Sequence, residues 1–156
     1  MALHNKLLDK TSWDLLAALQ KDGRIPYREL GRRVGLSTPA VSERVRKLEE
    51  AGIIKGYRAV LDLEKLGRGI TAFVNVQTTP DKNAPLIAFI QASPAVLEGH
   101  YITGRASFVL KIAVASIGEV EQFINEVSHY GTTQTSIVMS THVQHKIIAG
   151  DAASLP

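Results

Sequence analysis

The 156-residue chain has no cysteine. That excludes disulfides and thiolate zinc sites, and it fits a reducing compartment. No apolar run approaches the ~20 residues needed to cross a bilayer. The opening MALHNKLLDK lacks the apolar core of a secretory leader. The expected location is therefore the cytoplasm, with no membrane partner. Aromatic residues are scarce, and the single tryptophan, Trp13, stands among leucines. That neighbourhood favours core or rim packing over base stacking. No Gly-rich phosphate loop, nucleophile elbow or acid–base pair is present. The expectation is no catalytic residue, no cofactor and no enzyme activity. His142 and His145 are the only pair with suggestive metal spacing. On a strand their rings would point to opposite faces, so they read as surface histidines and no metal site is expected.

What is present is an uneven distribution of charge. The net charge is only +3. Residues 1–61 carry 12 Lys+Arg against 7 Asp+Glu, a net of +5, and residues 62–156 carry 6 against 8, a net of −2. A basic first part suits a polyanionic partner, and the acidic remainder needs another role.

That first part holds two short helical patterns joined at a glycine. Tyr27–Val34 places Leu30 and Val34 four residues apart, and Gly35 can take the positive φ of a tight turn. Leu36 fills the corner. Ser37 can cap a second helix, expected from about Thr38 to Glu50, with Pro39 in its first turn and Gly52 at its stop. At 100° per residue Val41, Val45 and Leu48 share one face; Thr38, Ser42, Glu43, Arg46 and Glu50 share the other, with Lys47 on the flank. A helix-turn-helix lays such a second helix in the DNA major groove. The alternative is an ordinary amphipathic pair with a solvated face. Gly35, the Leu-Ser-Thr-Pro corner and the basic flanks favour DNA.

Upstream, Ser12 caps a further helix, with Asp14 in its first turn and Leu15, Leu16 and Leu19 as its stripe; Asp22-Gly23 ends it. After Glu50, the β-prone run IIKGYRAVL suggests a strand, as in a winged helix-turn-helix. Asp62–Gly69 reads as a linker. From Ile70 the periodicity changes. ITAFVNVQTT, AVLEGHYIT, FVLKIAVA and TQTSIVMSTHV read as strands. Two helices intervene, one with Leu86, Ile87, Phe89 and Ile90 inward, the other from Ile117 to about His129 with Val120, Phe123, Ile124 and Val127 inward. The order is β-α-β-β-α-β, the ferredoxin-like arrangement, so the fold class is α+β. Its helices cover one sheet face and leave the other for a partner subunit. The expected organisation is 1–61 for DNA, 62–69 as linker, 70–145 for ligand and assembly, and 146–156 as a frayed tail.

Three segments now carry a family resemblance over nearly the whole chain: LDKTSWDLLAALQKDGRIPYRELGRRVGLSTPAVSERVRKLEEAGIIKGYRAVLD, HYITGRASFVLKIAV and GTTQTSIVMS. The chain resembles the Lrp/AsnC family of transcription regulators. The resemblance and the helix pattern agree on double-stranded DNA. Ser37, Thr38, Pro39, Ser42, Glu43 and Arg46 are the candidates for the groove and base edges. Arg24, Arg28, Arg32, Lys47 and Lys55 are candidates for phosphates. Arg44 borders the apolar face, and a salt bridge that ties the fold together is an equal alternative.

The resemblance also implies a small-molecule effector, an amino acid, at the contact between dimers in a ring of about eight subunits. Its implied residues are Ile102, Thr103, Gly104, Arg105, Ser107 and Phe108 of one subunit with Thr133, Gln134, Thr135 and Ser136 of another. Ser107 stands where the family's Gly-x-x-Asp turn has a carboxylate, so the expectation is weak or absent binding of ordinary amino acids, or a ligand whose ammonium is met elsewhere. Arg105 beside it favours an anionic ligand and opposes a cationic one. A hydrogen-bonded turn with a polar edge strand is the bland alternative. A rival function comes from enzymes that decarboxylate sirohaem, which look like the same two-domain family; His100 and Arg105 are what suggest it here.

Overall fold

The computed structural model describes residues 7–150. Residues 1–6 of the opening MALHNKLLDK and the end of the tail, 151–156, lie outside those residues. The chain divides between Ala59 and Val60 and again between His142 and Val143. The first break falls ahead of the 62–69 turn, and the segment after Val143 belongs with the N-terminal unit.

Helix α1 (Lys10–Lys21) starts before the expected cap. Asp9 is the N-cap, and its carboxylate accepts the Ser12 backbone N–H at 2.8 Å. Asp and Ser cap equally well, and the one three residues earlier wins. Ser12 is instead buried inside the helix, and Asp14 is outside the first turn. Helices α2 (Tyr27–Val34) and α3 (Thr38–Glu50) match their expected bounds. Between them Gly35 has φ 70°, and the Leu36 N–H returns to the Gly31 carbonyl at 2.9 Å. The Ser37 side chain accepts the Ala40 N–H, and Pro39 lies in the first turn of α3. Leu15, Leu30, Val41, Val45 and Leu48 are fully buried. Each such side chain stabilises the fold by roughly 1.5–3 kcal/mol.

No strand forms over 53–61. The run has β-propensity but no partner for a ladder, and Tyr57 folds back to donate its hydroxyl to Glu49 at 3.1 Å. Burial, aided by Glu49, pushes the Tyr57 hydroxyl up to about 12. The tail is also not wholly frayed. Gln20 donates to the Ile148 carbonyl at 3.0 Å and accepts the Ile148 N–H at 2.9 Å. Gly150 lies so close to the Trp13 indole that a Cβ would collide with it.

The second unit is a four-stranded antiparallel sheet in the order β2-β3-β1-β4. Its elements are β1 (Ile70–Thr78), α4 (Asn83–Ala92), β2 (Val96–Tyr101), β3 (Phe108–Val114), α5 (Ile117–Val127) and β4 (Gly131–Ile137). Ala72, Val74 and Val76 of β1 meet Phe108, Leu110 and Ile112 of β3 on the helix-covered face, with Leu86, Phe123 and Val127 packed above them. Ile87 points outward, contrary to its expected role. Strand β4 stops at Ile137, short of the expected run to Val143. Its neighbour β1 begins at Ile70, so after Val138 donates to the Thr71 carbonyl no partner backbone remains.

On the open face, the register aligns Asn75 with Gln134, Gln77 with Thr132 and Phe73 with Ser136. Val109 and Lys111 of β3 continue this face to His100 and Glu98 of β2. Glu98 accepts from Lys111 at 2.9 Å and lies 3.6 Å from His100. The Lys111 hydrogen bond, more than the nearby His100, holds the Glu98 carboxyl below its usual value.

Candidate functional site

The outward side of α3 is continuous. Ser37, Thr38, Pro39, Ser42, Glu43, Arg46, Lys47 and Glu50 are all exposed, while Val41, Val45 and Leu48 are sealed inside. The burial pattern follows directly from the 3.6-residue period. Arg46 is not free. Its guanidinium donates to both Glu43 oxygens, at 2.7 and 3.0 Å, and also to Glu50. Lys47 adds a contact to Glu43 at 3.4 Å. These cations, Arg46 first, hold the Glu43 carboxyl down at about 2. Any partner that takes Arg46 must compete with two carboxylates.

Arg44 faces the other way. Its Nη1 donates to both Asp9 oxygens at 2.7 Å and to the Ser12 hydroxyl at 2.9 Å. It thus joins α3 to the start of α1, which is the structural role left open above. Burial pushes the Asp9 carboxyl up, but hydrogen bonds from Arg44 and the Ser12 N–H outweigh this and hold it below its ordinary value. A carboxylate depressed in the folded state stabilises above its unfolded pKa, and the effect is lost as pH falls through the folded value. Arg44→Ala is expected to cost less than about 1 kcal/mol, because both groups are partly exposed and screened. The melting gap between wild type and variant should be constant near neutrality and shrink below about pH 4. Thermal melts across that range check it. A gap that does not narrow in acid assigns the cost to lost packing.

The phosphate candidates surround this helix in sequence. Arg24, Arg28, Arg32 and Lys55 are all exposed. Arg32 lies 3.3 Å from Glu29.

The second unit contains an open hollow of about 640 Å³. Asn75 and Gln77 of β1, with Thr132, Thr133 and Gln134 from the start of β4, form one wall. Ile102, Thr103, Arg105 and Ala106 of the β2–β3 turn form the other. The turn is shaped by Gly104 at φ 118°, and the Ile102 N–H donates to the Ser107 carbonyl at 2.8 Å. Of the residues implied by resemblance, Ile102, Thr103, Arg105, Thr133 and Gln134 line the hollow. Gly104, Ser107, Phe108, Thr135 and Ser136 do not. The Ser107 hydroxyl is held between the Thr78 N–H and carbonyl at 3.4 Å each, and Phe108 is buried against Tyr101. Sequence reasoning missed Ala106 and Thr132, which adjoin expected residues, and it missed Asn75 and Gln77. The latter two look like ordinary outward positions of an alternating strand, and only the pairing of β1 with β4 on one side and β3 on the other brings them between Gln134 and the turn.

His100 is not among the hollow's lining residues, so Arg105 and His100 do not share that site. His142 and His145 are exposed and lie outside any strand. Among the described residues no cluster of His, Asp and Glu could hold a metal, and no helix is long and apolar enough to cross a membrane.

A tri-helical unit with a capped, polar second helix and, in the same chain, a ferredoxin-like unit with a ligand-sized hollow are the two parts of a DNA-binding regulator with a ligand-binding domain. Comparison with known proteins agrees. The winged helix-turn-helix DNA-binding family model matches residues 8–55, and that of the Lrp/AsnC ligand binding domain matches residues 71–148. The HTH-type transcriptional regulator LrpC of Bacillus subtilis is 38% identical over 133 residues, 85% of this chain and 92% of that protein. Its solved structure superposes with a TM-score of 0.84 at 37% identity, covering 89% of this chain and 99% of the other. A Neisseria meningitidis transcriptional regulator solved as its L-Met complex also has a TM-score of 0.84, at 30% identity, covering 90% and 96%. This chain belongs to the Lrp/AsnC family of transcriptional regulators. Nothing in these likenesses supports the sirohaem decarboxylase reading.

Proposed function

We propose that the protein reads a specific DNA sequence through α3 and is modulated by an amino acid bound in the hollow. It acts in the cytoplasm by binding, without catalysis. The observation that carries the DNA reading is the exposed Ser42–Arg46 face on a helix whose opposite face is fully buried. The L-Met complex of the Neisseria relative supports an amino acid as effector. The open sheet face supports a homodimer, and the family resemblance extends this to a ring of about eight. Two recognition helices related by a two-fold axis call for a near-palindromic site, with half-sites one helical turn apart or a multiple of it.

The test starts from a site selected in vitro with the full-length protein. Arg46→Ala and Ser42→Ala should weaken binding there by ~1–3 kcal/mol per lost base contact, and random DNA much less. Equal losses on both DNAs would move these residues to the phosphate class. No loss on either removes α3 from the groove. Light scattering at micromolar concentration that shows only monomer defeats the assembly.

A further inference from the structure

We propose that Glu50, the last residue of α3, raises discrimination between the protein's own site and random DNA by keeping Arg46 off the phosphates. This rests on the reading of α3 as the recognition helix and adds a residue that sets its specificity.

The basic unit does not place its surplus charge on α3. The exposed charged side chains of that helix are Arg46 and Lys47 against Glu43, Glu49 and Glu50, two positive and three negative, a net of −1. Helix α2 has Arg28, Arg32 and Arg33 against Glu29, a net of +2. Attraction to phosphates supplies essentially all of random binding. The helix that reads is therefore not the one that attracts.

Helix stability does not account for Glu50. A carboxylate at the C-terminal end of a helix opposes the macrodipole. At i, i+4, a cation placed N-terminal to its acid is the weaker orientation. Arg46 and Glu50 are also both more than half exposed, which keeps their pair weak. The neighbouring Glu49 has a different task, since it accepts the Tyr57 hydroxyl.

Arg46 lies just over two turns beyond Thr38, ~12 Å along α3. From there its long side chain can reach a base edge or a phosphate, and the carboxylates decide between them. A guanidinium has five N–H donors. Three are in use: Nε and one on Nη2 donate to Glu43, and one on Nη1 donates to Glu50. The two left, one on each Nη, are the number that a bidentate contact to guanine O6 and N7 needs. A neutral base edge can be read with the fork intact. A phosphate brings another negative charge to a cation that already holds two carboxylates, and it is repelled. Without Glu50, Nη1 is released and Arg46 becomes one more phosphate ligand.

The test measures binding of the full-length protein to a site selected in vitro and to a random duplex, by fluorescence anisotropy over a range of salt. Glu50→Gln should bind the random duplex more tightly. Its log K should also fall more steeply against log salt, by about 0.9 for one added phosphate contact. The selected site should gain much less, so the ratio of the two affinities falls several-fold. Melting curves of wild type and variant should nearly coincide, because the pair is exposed. In an Arg46→Ala background, Glu50→Gln should move neither the random slope nor the ratio, since Glu50 acts through Arg46. An effect of the same size in that background assigns it to bulk charge and overturns the proposal, as does equal tightening on both DNAs or none on either. Arg46→Ala that weakens only the selected site, with Glu50→Gln inert, sinks the proposal and leaves α3 in the groove. Arg46→Ala without effect on either DNA removes both.

Discussion

Gly31→Ala should melt the helix-turn-helix unit well below the wild type and remove DNA binding near its new midpoint. Gly31 lies in the middle of α2 and is buried. A Cβ there would overlap the Leu36 carbonyl oxygen. The obstacle is backbone, at the turn that aims α3, so no side-chain rotation relieves it. Overpacking costs typically 1–3 kcal/mol, and a backbone clash belongs at the top of that range. Alanine recovers up to about 1 kcal/mol of helix propensity relative to glycine. The net loss is about 2 kcal/mol. For a unit this small, that lowers the midpoint by roughly 8–16 °C. The sign is diagnostic, because at an exposed helical glycine the same change stabilises. Circular dichroism melts with a gel shift at several temperatures decide it. An unchanged or raised midpoint means that the Leu36 corner can move aside.

Leu110→Ala should be the most damaging change in the second unit. Leu110 is fully buried on β3, which lies between β2 and β1, and it belongs to the cluster beneath α4 and α5. Leu-to-Ala changes in such sites cost about 2–5 kcal/mol, the spread depending on how far the cavity collapses. The upper half of that range is expected, because hydrogen-bonded strands on both sides hold the cavity open. Ligand binding should fail with the fold, since β1 and the β2–β3 turn both depend on β3. Ile137→Ala is the control. Ile137 is 43% exposed at the end of β4, and its loss should be near neutral. Chemical denaturation of both variants provides the comparison, and similar losses would mean that the buried cluster is not the main support of the sheet.

How far such features could be read in advance depended on the range of the forces behind them. Ser37, Pro39 and Gly35 act on their nearest neighbours, so α2 and α3 were legible to the residue. The apolar periods of Val41–Leu48 and Ile70–Thr78 were legible for the same reason. Asp9 and Ser12 illustrate a local tie: two good caps three residues apart, decided by which one leaves the other buried beside Arg44. Strand ends belong to a longer-range class. The 53–61 run and the far end of β4 both have suitable residues, and both lack a partner strand, which no local pattern reveals. The hollow was half legible. Arg105 and Gln134 follow from the resemblance, whereas Asn75 and Gln77 enter through pairing register. The carboxylate fork that holds Arg46 was visible as i, i+3 and i, i+4 spacing, although its bearing on that arginine's availability depends on the rotamers.

The Gln20–Ile148 pair has a consequence for biosynthesis. Those two residues are separated by 128 positions, and Gly150 reaches Trp13 over a similar span. A ribosome adding about 5–20 residues per second exposes α1 several seconds before it supplies the segment that finishes that helix's surface. The N-terminal unit can collapse early around Leu15 and Leu30, but the Gln20 hydrogen bonds wait until Ile148 has been made. A nascent chain stalled before Val143 would therefore carry a helix-turn-helix with its Trp13–Gln20 edge still bare. Premature termination would leave the same edge exposed for chaperones or proteases to find.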